Sequence, residues 1–485
     1  PPAEEGGGRR RRREPTELAS GAAGVRAWHL GVGGFARPKA SALVLLRTPA
    51  AAGTARRVVL SSLAAELLDD TLGTALAAAP DAGAGWSVGV HPGGLVFQAS
   101  GYSQRVQGLA LELPKALASL ELDEERFSLH RELLLKALRN RREERPLWQA
   151  QYELSFAMSR PTVHYEHALA FAADDGACSL AALRSHLDDL RAAGFVEALV
   201  HGNALEGEAR TFSEEWAGAL GAAPLEADAA PLPQTLPPAA ASERLEASPR
   251  ARRWLEGGAM RLRSVASNPG EKNSAIELHL HLGELELERR GGGAVEPVPS
   301  HSTLPSTGEL EPREEARLRL LASVASKDAF HCLRTVRQLG YVVQCGVRSM
   351  GAARGLSVLI QSAVASPTEL ERHIEEWLAE FRATGLEALT DDRLADTAFA
   401  LSSNLLEPPR SLAQEAAPIW GEIIEQTHRW QREVELATEL RAVNKAELIA
   451  LFDEHFAAAA PSRQKAVSLC YSHPDAEAEG VPCEQ

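Results

Sequence analysis

Apolar positions recur along the chain with two periods, and one order of elements occurs twice. Near the start, the spacing predicts strands over Arg26–Val32 and Lys39–Leu46, separated by a turn at Gly33-Gly34. A helix follows from about Thr54, with Leu60, Leu63, Ala64 and Leu67 at three- and four-residue spacing. Trp86–Val90 and Leu95–Ala99 flank His91-Pro92-Gly93-Gly94 and predict a hairpin. Helical patterns cover 105–119 and 123–145, and Val196–Val200 is a further strand. The series then returns. Met260–Ala266 and Ala275–Leu282 read as strands, and a helix starts at Pro312. Its stripe of Leu321, Val324, Ala325, Ala329, Cys332, Leu333 and Val336 stops at Gly340. Tyr341–Cys345 and Leu356–Gln361 form a strand pair, helices cover 367–385, 390–405 and 431–457, and Ala466–Tyr471 closes the series.

Corresponding elements begin at 26 and 259, 39 and 275, 86 and 340, and 196 and 466, so the offset grows from 233 to 270. Insertions cause such a drift, and Arg290–Leu310, rich in Gly, Pro, Ser and Thr, is one candidate. The fold class expected is α+β: two homologous domains, each a mostly antiparallel sheet with helices packed on one face. Prolines 224, 231, 233, 237, 238 and 249 bar a long helix or a central strand, which places a linker there. The expected plan is a disordered Gly/Arg-rich lead-in (1–24), a first domain (25–222), an Ala/Pro-rich linker (223–252), a second domain (253–475) and a tail (476–485).

Composition narrows the function classes. The formal charge of −15 argues against a nucleic-acid binder. Five cysteines without a C-x-x-C pair point to a reducing compartment, which predicts a cytoplasmic location. No apolar run reaches the ~18 residues that would predict a membrane span. The first residue is Pro1, so the expectation is a chain that starts within a longer polypeptide or after processing. Arg9 to Arg13 read as part of a solvated linker, since like charges repel.

The chemistry of a zinc peptidase needs two histidines one helical turn apart with a glutamate beside them, as H-E-x-x-H or H-x-x-E-H. Neither string occurs, and nor do the P-loop, nucleophile-elbow or dinucleotide-binding patterns. His164-Tyr165-Glu166-His167 reads as a solvated helix surface, because its glutamate points away from both rings. His279 and His281 alternate with Ile276, Leu278, Leu280 and Leu282, which puts them with Glu277 on the polar face of a half-buried strand. Cys332 and Cys345 lie on apolar stripes and read as small core residues. Arg334 and Tyr341 flank a helix stop. On their own they read as a cation at the negative end of a helix and a phenol under the sheet.

The segment Arg334-Thr335-Val336-Arg337-Gln338-Leu339-Gly340-Tyr341, followed by Gly355-Leu356-Ser357-Val358-Leu359-Ile360-Gln361-Ser362, resembles the C-terminal half of the insulin-degrading enzyme, pitrilysin and nardilysin family. Ala36-Arg37-Pro38-Lys39-Ala40, Gly101-Tyr102, Leu122 to Phe127 and Ala198 to Asn203 resemble that family's third domain, and Trp420 to Ile424 its fourth. The resemblance implies an inverzincin zinc peptidase shaped as a clamshell, of which this chain matches the half without the zinc motif. It implies zinc in the complete enzyme with no ligand in this chain. The implied partners are a zinc-bearing N-terminal half and unfolded peptide substrates, with no nucleic acid or membrane. Arg334 and Tyr341 are implied to reach the substrate when the clamshell closes, with Gln338, Leu339 and Gly340 setting the turn that aims Tyr341. The alternative is a non-catalytic scaffold or regulatory subunit of the same family.

Overall fold

The structure is a computed structural model that describes residues 12–31, 33, 37–242, 248–285 and 310–482. In the first half, strands β1 (Thr16–Leu18), β2 (Val25–Leu30) and β3 (Lys39–Arg47) precede helix α1 (Ala55–Ala75). The hairpin β4 (Gly85–His91) and β5 (Gly94–Tyr102) follows, then α2 (Ser103–Ala118), α3 (Glu124–Arg142), α4 (Pro146–Met158), α5 (Tyr165–Ala173) and α6 (Leu180–Ala192). Strand β6 (Ala193–Gly202) and α7 (Glu206–Leu220) close the half, and the short α8 (Pro238–Ser242) lies in the linker. The sheet order is β1-β2-β6-β3-β5-β4, with Ala223–Pro224 alongside β6.

The second half repeats the plan. Strands β7 (Arg252–Glu256), β8 (Ala259–Val265) and β9 (Ser274–Glu284) lead to α9 (Pro312–Ala329) and the hairpin β10 (Val342–Met350) and β11 (Ala353–Ser362). Then come α10 (Pro367–Glu380), α11 (Asp391–Leu405), α12 (Leu412–Ile424), α13 (Arg432–Ala442), α14 (Lys445–His455), β12 (Gln464–Tyr471) and α15 (His473–Ala478). Its sheet order is β7-β8-β12-β9-β11-β10, the same as the first. β2 and β6 are parallel, as are their counterparts β8 and β12, and the remaining main pairs are antiparallel. The expected duplicated α+β fold is the fold observed.

Each sheet packs its own helices on one face. Leu60, Leu63 and Leu67 of α1 meet Val44 and Phe97 in the first half. Leu321 of α9 and Ile374 and Trp377 of α10 meet Leu278 and Val358 in the second. The opposite faces are covered reciprocally. Ile419, Trp420 and Ile423 of α12 lie on Trp28, Leu30, Leu43, Leu45 and Leu199 of the first sheet. Leu147, Ala150 and Leu154 of α4 lie on Ala275, Leu359, Met260 and Leu262 of the second. Pro146 and Leu412 start these helices at an offset of 266, so they are equivalent members of the two repeats, each laid on the other half.

Several boundaries differ from expectation. The lead-in was expected to be free through residue 24, but β1 pairs with β2. Arg12 donates to Leu405 O at 2.7 Å and pairs with Glu433 at 2.5 Å, and Arg13 donates to Gly31 O at 2.7 Å. These partners hold the two arginines, where like-charge repulsion predicted a solvated run; Arg9 to Arg11 lie outside the described residues, as do residues 290–309 and most of the Gly33-Gly34 turn. The helix expected over 431–457 breaks at Asn444, whose side chain accepts from Glu447 N and begins α14. Arg252 already belongs to β7, and α15 crosses the boundary expected at 475.

Candidate functional site

The helix that starts at Pro312 does not end as a simple α-helix. Beyond Ala329 it widens into a π-helical stretch over Phe330–Val336, an arrangement common at functional positions. Leu339 N then donates to Leu333 O at 3.0 Å, and Gln338 adopts a positive φ of 53°. Gly340 passes so close to β11 that a Cβ there would lie 2.1 Å from Gln361 O, which requires glycine. Leu339 is buried in the second core, so the next residue is thrown outward: Tyr341 is 84% exposed. A phenol packed under the sheet, the plainer expectation, is not what this turn makes.

Arg334 sits on the same ledge. Its Nε donates to Tyr341 O at 3.2 Å, and its guanidinium lies 4.8 Å from the Phe330 ring and 5.8 Å from the Tyr341 ring. No carboxylate pairs with it among the described residues. Arg337, three residues on, is saturated by contrast: it donates to Glu376 at 3.1 Å and Glu380 at 2.6 Å. The turn therefore presents one unneutralised cation and one phenol hydroxyl side by side at the surface. Cys345 is buried, with its thiol pushed up to about 12 by burial, whereas Cys332 is only half-buried, 3.7 Å from Glu380.

His164, His279 and His281 depart from expectation, while His167 is exposed as expected. His164 is not solvated: it is fully buried, with Nε2 2.9 Å from Glu153 Oε1 and Nδ1 accepting from Glu166 N as the cap of α5. His279 and His281 are fully buried rather than half-buried, because α4 of the first half covers their face of the sheet. Their ring centroids are 6.0 Å apart, and none of the four ring nitrogens meets a polar partner among the described residues. Burial depresses both, His281 to about 4. Glu277 beside them is raised by burial; it accepts from Ser357 Oγ at 2.7 Å and faces Arg348 Nε at 3.5 Å. Among the described residues no three His, Cys, Asp or Glu side chains converge as metal ligands. The donor set does not fit a zinc site.

Two other polar groups tie the halves together. His201 Nε2 lies 3.1 Å from Glu415 on α12, while Gly202, at φ 104°, passes Lys39 O where a Cβ would sit at 2.6 Å. The His201-Gly202-Asn203 string is thus a strand closure and an inter-half contact. Sequence reasoning missed the second group. Glu197, fully buried on β6, accepts from Gln426 Nε2 at 2.7 Å and from Arg26 at 3.3 Å, with Arg47 at 3.7 Å. Arg47 also donates to Ala230 O at 2.8 Å, so sheet, linker and second half meet at one buried carboxylate. A lone glutamate inside the apolar run Val196–Val200 was the available signal. No helix among the described residues is long and apolar enough to cross a membrane.

Comparison with known proteins agrees with this geometry. Residues 10–171 match the model for the middle or third domain of peptidase M16, and residues 320–420 match the C-terminal lobe domain 4 of PqqF-like PQQ synthase. A nardilysin-like protein of Arabidopsis thaliana is 25% identical over 428 residues, covering 88% of this chain and 38% of its own. Human insulin-degrading enzyme is 27% identical over 411 residues, covering 82% of this chain and 35% of its own. The chain thus spans little more than a third of the length of these relatives. Among solved structures, pitrilysin superposes with a TM-score of 0.76 at 19% identity, over 96% of this chain and 44% of that one. A Pseudomonas fluorescens chain described as a peptidase M16 inactive domain gives 0.61 at 13% identity and is covered to 97%.

Proposed function

We propose that this chain, whose sequence and fold are those of the C-terminal half of an insulin-degrading enzyme, pitrilysin or nardilysin-type peptidase, is the substrate-binding, chamber-closing half of a zinc metalloendopeptidase. The observation that carries the reading is the pair of half-buried Arg334 and exposed Tyr341, held on a ledge that the local backbone is built to project. A guanidinium and a phenol hydroxyl are donors suited to a peptide carbonyl whose oxygen gains negative charge during attack. Delivering them from one wall of a chamber makes closure a condition of turnover. Because no three potential metal ligands converge among the described residues, the metal chemistry belongs in this reading to a separate zinc-bearing half, and the reading expects the chain alone to be inactive. Unfolded peptides are the proposed substrates, and the free cysteines fit a cytoplasmic location.

A second reading, a non-catalytic scaffold or regulatory subunit, is supported by the fold match to a chain described as inactive. One experiment separates the two. The chain is combined with a compatible zinc-bearing half and peptide hydrolysis is measured for the native form and for Tyr341→Phe. The first reading expects kcat to fall about 10²–10³-fold, the effect of losing one oxyanion donor, with KM little changed. Arg334→Ala should lose at least as much, since a charged donor is the stronger one. Turnover that ignores both changes supports the scaffold.

A further inference from the structure

We propose that the free edge of β10 is a docking rail on which an extended peptide adds to the second sheet as a further strand. The inference rests on the reading above only for the class of ligand, a peptide, and specifies how it is held.

Among the described residues, strand β10 ends its sheet and pairs only with β11, through nine successive partners from Val342 to Met350 without a register shift. Exposed sheet edges are normally guarded by proline, lysine, a bulge or a charge that a new strand would bury. β10 has none of these. Its solvent-facing residues, Gln344 and Ser349, are uncharged, and its one charge, Arg348, is already met by Glu277 at 3.5 Å and donates to Ser155 of α4 at 2.7 Å. A strand arriving alongside would leave no charge unpaired. Gly346, at the middle of the edge, has an ordinary strand conformation, and a Cβ built on it meets nothing within 4 Å. No described residue requires glycine there, and glycine weakens a strand interior; in a strand without a bulge it often marks the close approach of a ligand or another backbone.

A groove of about 540 Å³ opens beside Gly346, walled by the strand and by Ala322, Leu401 and Leu440. Apart from the Cys345 thiol, its titratable lining residues are Arg319 and Lys327, both cations, eight residues and about 12 Å apart along α9. Lys327 has no carboxylate partner among the described residues. Strand addition takes main-chain hydrogen bonds for affinity and alternate side chains for selection. The geometry therefore selects an unfolded peptide with apolar side chains at alternate positions and a carboxylate to meet Lys327. Tyr341 immediately precedes β10, so the rail leads to the Arg334 ledge.

The test uses the whole chain and a short fluorescein-labelled peptide alternating leucine and glutamate, read by anisotropy. Binding should weaken about tenfold or more when alternate backbone nitrogens of the peptide are methylated, the equivalent of one or two lost hydrogen bonds. Gly346→Val, which fills open space with a strand-favouring residue, should keep or raise the melting temperature and still weaken binding. Lys327→Glu should weaken this acidic peptide and spare one with serine in place of glutamate. Absence of binding, or binding indifferent to methylation and to both variants, overturns the proposal. So does a dimer that closes the edge with a second copy of the chain. If Tyr341→Phe lowers kcat while the edge binds nothing, the function stands and the rail falls; the converse result spares the rail alone.

Discussion

Replacing His281 with glutamine should flatten the acid limb of this protein's stability. The folded chain holds His281 neutral down to about 4, against 6.5 when unperturbed, because burial under α4 disfavours the imidazolium; the charge of His455 adds to the effect. Between those values the unfolded chain binds the proton and the folded chain does not. Stability is therefore full above pH 6.5 and falls as the pH drops toward 4. At about 1.4 kcal/mol per unit, the whole window amounts to about 3 kcal/mol, of which about 2 kcal/mol is lost by pH 5. His279 acts in the same direction, lowered by burial, by His281 and by Arg348. Glu277 acts oppositely: burial raises its pKa, so the folded state gains stability as the pH falls through that raised value. The difference between native and variant removes the Glu277 contribution and reports His281 together with its electrostatic coupling to His279. Neither of its ring nitrogens is hydrogen-bonded among the described residues, so glutamine removes no bond and stability near pH 7.5 should change little. Urea unfolding at fixed ionic strength, from about pH 7.5 to about pH 5, measures the two profiles. Parallel profiles would refute the reasoning, since they would mean that His281 titrates alike in both states.

Other outcomes follow from the cover of each sheet by the opposite half. Ile423→Ala and Leu154→Ala each remove a fully buried side chain from a covering helix and should destabilise by about 2–5 kcal/mol. Calorimetry should show both halves melting together in each variant, and two separated transitions would contradict the reciprocal cover. The purified chain, exposed to zinc and desalted, should retain less than one zinc per chain and hydrolyse no peptide; stoichiometric zinc with chelator-sensitive activity would reverse the functional assignment.

The central strands of both halves are legible because their apolar runs are bounded by glycine, proline and charge, and the equal order of the halves followed from them; the edge strands β1 and β7, short and mostly polar, are not. Helices α4 and α12 are not legible. In α4, Gln149 and Glu153 are buried along with Leu147 and Leu154, so no polar stripe marks a helix, and α12 carries Pro418 in its interior. For the same reason His279 and His281 read as a polar outer face: the alternation is real, but the helix that buries it lies more than a hundred residues upstream. At the candidate site, Gly340 was recognisable as a helix stop and Arg334 and Tyr341 by resemblance. The π-helical widening and the approach of Gly340 to Gln361, which together make Tyr341 a projecting residue, depend on β11 and leave no local pattern.

The mutual cover of the sheets has a consequence for independence. Each repeat lays its helix over the sheet of the other and receives that repeat's helix in return, the arrangement of a self-complementary pair with twofold symmetry. Joined end to end, the two repeats meet within one molecule, at the high effective concentration a tether provides. Neither repeat is self-sufficient: taken singly, the first would bare Trp28, Leu43 and Leu199 to water, and the second Leu262 and Leu359.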